Sequence, residues 1–119
     1  MEAKKLRIGN ILLCAKRDIP YRVTAEDILV IDDGSSKSRP VPLTEEILLK
    51  CKGTIDAYIY KGWDDMHFFR FDEYSANIFE IEIRNDGFYY EDGKMEFLHD
   101  LQNCYYFHEN RKKELTVNL

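Results

Sequence analysis

Residues 40–53 carry both ends of a helix, and they divide the chain in two. Pro40 and Pro42 disfavour helix before it, because each restrains the preceding residue to extended backbone. Thr44 stands where an N-cap hydroxyl accepts from a first-turn amide. Glu45 and Glu46 follow where the helix dipole favours negative charge. Leu43 and Leu48 hold the two positions of a hydrophobic staple. Lys50 and Lys52 close the last turn, and Gly53 suits a left-handed cap. The pattern predicts a helix over 44–52 with Ile47, Leu48 and Cys51 as its buried stripe. An N-terminal ribbon over 6–39 precedes it, and a hairpin region over 55–91 follows.

Residues 78–84 show the cleanest alternation in the chain. Phe79, Ile81 and Ile83 face one way and Glu80, Glu82 and Arg84 the other, as in a strand with one wet face. Asn85-Asp86-Gly87 reads as a type I′ turn, since Asp-Gly tolerates positive φ, and Asp92-Gly93 as a second such turn. Strands are also expected at 55–61, 66–72 and 88–91. In the ribbon, Ile11 to Lys16 pairs with Tyr21-Arg22-Val23. Thr24-Ala25-Glu26-Asp27 has the form of a capping box with Asp in place of Glu. Ile28 to Ile31 fits either a helical turn or a strand.

A second helix is expected over 96–109, from Leu98, Leu101, Cys104 or Tyr105, and His108 at helical spacing. A last short strand is expected over 114–117. The expectation is one α+β domain over 1–119: an antiparallel sheet of about five to seven strands, two packed helices and the N-terminal β-ribbon.

Composition narrows the function classes. The chain has 119 residues, the size of one ordinary domain. Eight Tyr, seven Phe and one Trp suit a strand-rich core. A net charge of −5 weakens a nucleic-acid reading, which usually brings a basic face. No run approaches the ~20 apolar residues of a membrane span, and the start lacks a signal peptide's apolar stretch. Cys14, Cys51 and Cys104 are odd in number and widely spaced, so free buried thiols are expected. These features together predict a cytoplasmic protein with no membrane partner.

Candidate sites fall in two groups. His99, Gln102 and Tyr106, at i, i+3 and i+7, form a polar stripe beside the apolar one. That stripe is either a hydrogen-bonding patch for a ligand or a helix edge tied to its neighbouring loop. Tyr58, Tyr60 and Trp63, with Tyr89 or Tyr90, are the second group. Exposed aromatics on a sheet stack bases or anchor a partner; the plainer reading is a second core layer. Tyr58 and Tyr60 are expected opposite Ile55, Ala57 and Ile59, on the outer face.

Catalytic and metal-binding patterns do not emerge. His99 and Asp100 are adjacent and point about 100° apart on a helix. Glu80 and Glu82 stand about 7 Å apart on one strand face, as glycosidase carboxylates can, but alternating Glu on a wet face is common. His67, His99 and His108 share no ligand spacing. No catalytic residue, metal or cofactor is therefore assigned.

Pro42-Leu43-Thr44-Glu45-Glu46-Ile47-Leu48-Leu49-Lys50-Cys51 and Leu98-His99-Asp100-Leu101-Gln102-Asn103-Cys104-Tyr105-Tyr106-Phe107 carry a resemblance. With the start Leu6-Arg7-Ile8-Gly9-Asn10 and the ending Glu114-Leu115-Thr116-Val117, the chain resembles a family of small uncharacterised proteins of anaerobic gut bacteria and their phages or mobile elements. Asp100 stands where that pattern has Gln, and Cys104 where it has Leu. The resemblance implies a common fold and a mobile-element setting, with no activity to carry over. The expected function is a non-catalytic binding or adaptor protein that meets a protein partner or itself. The alternative is a nucleotide or nucleic-acid module using the aromatic sheet face.

Overall fold

A computed structural model describes residues 3–14, 16–52, 58–62, 66–71, 79–108 and 114–119. After a 3-10 turn, Ala3–Lys5, come β1 (Ile11–Leu13), β2 (Pro20–Arg22), α1 (Ala25–Asp32), β3 (Arg39–Pro40) and α2 (Glu45–Leu49). Next are β4 (Cys51–Lys52), β5 (Tyr58–Lys61), β6 (His67–Phe71), β7 (Phe79–Arg84), β8 (Gly87–Tyr90) and β9 (Gly93–Met95). The described chain ends with α3 (Leu98–Phe107) and β10 (Thr116–Val117).

The fold is α+β. The alternation at 79–84 builds the middle strand of a five-stranded antiparallel meander, β5-β6-β7-β8-β9. Phe69 sits opposite Ile81, and both are fully buried with Phe79. Leu98, Leu101 and Tyr105 of α3 join them in one core. The other face is wet and paired: Arg70 to Glu80 at 2.9 Å, Arg84 to Glu82 at 2.9 Å. The Arg84 guanidinium also lies 3.9 Å over the Tyr89 ring. A second sheet, β2-β1-β3, is the expected ribbon, and β10 pairs with β4. Val41 to Leu43 is zipped to Glu96 to Leu98. Leu43 N–H donates to Glu96 O (3.0 Å), Leu98 N–H to Val41 O (2.8 Å), and Pro42 bridges Phe97.

Local chemistry settles the 25–31 ambiguity in favour of helix. Asp27 N–H donates to Thr24 Oγ1 at 3.2 Å, and Thr24 N–H donates to Asp27 Oδ2 at 2.8 Å. This reciprocal cap starts α1. Thr44 caps α2 as expected, accepting from Ile47 N–H at 3.2 Å.

Several boundaries differ from expectation. The helix predicted over 44–52 ends at Leu49, because Cys51 and Lys52 pair with Val117 and Thr116 instead. Pairing with a strand at the far end of the chain, unseen in local sequence, overrides helix continuation. The left-handed cap expected at Gly53 lies outside the described residues. The helix predicted over 96–109 spans Leu98–Phe107, since Asp100 and the zipped strand consume the backbone groups before it.

Both glycine turns shift by one residue. The pairs Arg84–Gly87 and Tyr90–Gly93 put each glycine on a returning strand. Neither Asn85 nor Asp86 has positive φ, so the first turn is not type I′; Gly87 has φ 149° and Glu91 φ 55°. The thiols are free, but only Cys51 is fully buried; Cys14 and Cys104 are half-buried. No helix among the described residues is long and apolar enough to cross a membrane.

Candidate functional site

α3 begins without a capping side chain on Phe97, which has no acceptor to offer. The Asp100 carboxylate replaces it, accepting from Glu96 N–H (3.1 Å) and Phe97 N–H (3.0 Å). From that start the helix shows three sides. One is the core set Leu98, Leu101 and Tyr105, all fully buried.

The second side is a polar clamp. Gln102 is fully buried; its Oε1 accepts from Ile11 N–H at 2.8 Å, and its Nε2 donates to Gly9 O at 3.3 Å. Asn103 Oδ1 accepts from Arg7 Nε (3.2 Å) and Asn10 Nδ2 (2.8 Å). Arg7 lies 3.9 Å over the Tyr106 ring and donates from Nη2 to Glu114 Oε2 at 3.1 Å. The clamp ties α3 to the Gly9-Asn10 turn and to the approach to β10. It satisfies backbone groups that burial would otherwise leave unpaired.

The third side faces a cleft. Asp100, Asn103, Cys104, Phe107 and His108, at helical spacing, line an open groove of about 810 Å3 against the β8–β9 hairpin. Met95, Cys104 and Phe107 supply apolar surface, and Phe107 is 65% exposed. Lys5, Glu91 and Asp100 supply charge. His108 Nδ1 is 2.6 Å from the Tyr90 hydroxyl. Both rings pack on Phe79, Tyr90 stacked at 5.0 Å and His108 edge-on at 5.2 Å. Burial pushes the Cys104 thiol up to about 11, with the Asp100 and Glu91 carboxylates adding to it. At neutral pH it is a protonated thiol, not a nucleophile.

The structure brings the predicted stripe together, but on the inner side of α3. His99 is 3% exposed and stacks on Phe97 at 5.6 Å. Its Nδ1 is buried and, among the described residues, has no hydrogen-bond partner, and its Nε2 is 3.6 Å from Asp100 Oδ1. Burial holds its pKa below the ordinary value, partly opposed by Asp100. Gln102 and Tyr106 belong to the clamp. Tyr58 pairs with Arg70 and Tyr60 with Phe68, the positions that alternate with the Ile59–Phe69 pair. Trp63 lies outside the described residues. Glu80 and Glu82 are both engaged by arginines. No group of three His, Cys, Asp or Glu among the described residues could hold a metal ion.

Sequence reasoning missed the cleft. Its signal was present in the spacing of 100, 103, 104, 107 and 108, one face round from the core set. Cys104 and His108 were instead assigned to the buried stripe. Comparison with protein-family models, curated proteins and solved structures finds no match for this chain.

Proposed function

We propose that this chain is a non-catalytic binding protein whose ligand-facing side is the cleft between the β8–β9 hairpin and α3. One observation carries this reading: an open groove of about 810 Å3 has apolar walls and a rim of mixed charge. Concave apolar surface with a few polar groups is the usual form of a binding site. The nearby chemistry favours holding over conversion. Cys104 stays protonated, and the Tyr90 hydroxyl already occupies His108 Nδ1. The nucleic-acid alternative has less support, because two cations of the outer face, Arg70 and Arg84, are paired with Glu80 and Glu82. Three free thiols go with a cytoplasmic setting. A mobile-element setting rests on the resemblance at Pro42–Cys51 and Leu98–Phe107.

The test is a fragment library titrated into labelled protein and read by amide shifts. Binders should move residues 90–95 and 103–108 together. Phe107→Ser, checked first for an unchanged melting curve, should abolish those shifts. Fragments that cluster elsewhere, or that bind the variant equally well, would overturn the assignment.

A further inference from the structure

α1 has no buried residue, although four of its eight residues are Ile28, Leu29, Val30 and Ile31. Leu29 is 67% exposed and Val30 41%. Its neighbour in the fold is the 3-10 turn at Ala3–Lys5 rather than the core. Glu26, Leu29, Val30 and Asp33 stand at i, i+3, i+4 and i+7, so the exposed aliphatic pair lies between carboxylates on one face. Asp32 and Asp33 also sit at the negative pole of the helix dipole, and the last turn holds no basic residue. Among the described residues neither has an ion-pair partner. An apolar face is left in water, and among the described residues no cation forms an ion pair with its carboxylates.

We propose that this face of α1 docks a partner-protein segment carrying aliphatic side chains flanked by lysine or arginine. The aliphatic side chains would cover Leu29 and Val30, and the cations would meet Glu26, Asp32 and Asp33. A second copy of this chain fits poorly. A two-fold contact through the same patch sets Glu26 against Asp33 of the other copy, carboxylate on carboxylate. The proposal rests on residues separate from the cleft, so either can fail alone.

The probe is a fluorescent amphipathic peptide of leucine and lysine, with a leucine–glutamate counterpart as control, read by anisotropy at several salt concentrations. The lysine peptide should bind and weaken as salt rises, and the glutamate peptide should not bind. A Leu29→Ser, Val30→Ser variant, with α1 verified by amide shifts, should lose at least about tenfold in affinity. Asp32→Asn with Asp33→Asn should weaken binding and flatten its salt dependence. Glu45→Gln with Glu46→Gln on α2, a charge-matched control, should change neither. Wild-type affinity in the serine variant, equal loss in the α2 control, or no binding of the lysine peptide overturns the proposal. So does a wild-type dimer in sedimentation that the serine variant dissolves, since the occupant is then a second copy.

Discussion

α3 and α1 are both rich in apolar side chains, yet α3 buries five of its ten residues and α1 none of its eight. The difference lies in spacing. Leu98, Leu101 and Tyr105 recur every three or four positions, so they fall on one side and meet the sheet. Ile28 to Ile31 are consecutive, so successive side chains step about 100° round the helix, and they do not line up into a stripe that one core could bury. Apolar content starts a helix of either kind; only periodicity decides whether it enters a core.

The largest expected contrast is a pair of truncations. Leu101→Ala removes a fully buried side chain and should cost about 2–5 kcal/mol in urea denaturation. Leu29→Ala should change stability by no more than about 0.5 kcal/mol, as exposed substitutions do. Comparable losses at both sites would show that α1 is part of the cooperative core after all.

The clamp sharpens the same comparison, because α3 is held by hydrogen bonds as well as packing. Gln102→Leu keeps the volume roughly but strands Ile11 N–H, while Gly9 C=O keeps its bond from Arg22 Nη1. A loss of about 1–3 kcal/mol is expected by equilibrium unfolding. A neutral result would mean that water replaces the side chain, and that the clamp contributes geometry rather than stability.

His99 makes α3 pH-sensitive in a way α1 is not. Its folded pKa is held below the ordinary value, chiefly by burial, so the unfolded chain binds the proton more readily. The neutral ring therefore gives its full stability above about pH 6.5 and loses it as pH falls below that value. The slope should approach at most about 1.4 kcal/mol per pH unit in that window. His99→Gln should flatten it. An unchanged slope in the variant would assign the acid sensitivity to other groups.

These contrasts also mark what the sequence made legible. The α+β class, the ribbon, the meander and both caps could be read because each depends on local spacing: Thr24 with Asp27, Thr44 with Ile47, and the 79–84 alternation. The end of α2 could not be read, because Cys51 leaves the helix to pair with Val117 at the far end of the chain. The stripe of His99, Gln102 and Tyr106 was visible, but not what it faces. Gln102 looks like surface until the Gly9-Asn10 turn is folded against it. The cleft was hidden for a related reason: Cys104 and His108 sit one face round from Leu101 and Tyr105, and the helix's own spacing does not say that the β8–β9 hairpin stands opposite them. Tyr58 and Tyr60 are placed only by strand register.

The smallest contrast is between the two threonine caps, and it isolates cooperativity from local chemistry. Both hydroxyls accept an amide at the same distance, 3.2 Å, from the third residue of their helix. Local bonding therefore predicts similar costs, about 1 kcal/mol each for Thr→Ala. Their surroundings differ. α2 carries Leu48, fully buried, and leads straight into β4, so losing its first turn disturbs the core. Thr44→Ala should lower global stability by about that amount. α1 can fray without uncovering a buried side chain of its own, so its opening costs only local structure. Thr24→Ala should shift the global transition by no more than a few tenths of a kcal/mol. Hydrogen exchange should nevertheless show Ile28 and Leu29 amides losing protection well below the global limit. If Thr24→Ala instead lowers the global transition as much as Thr44→Ala, α1 folds with the core, and the idea of an outlying helix waiting for a partner loses its energetic basis.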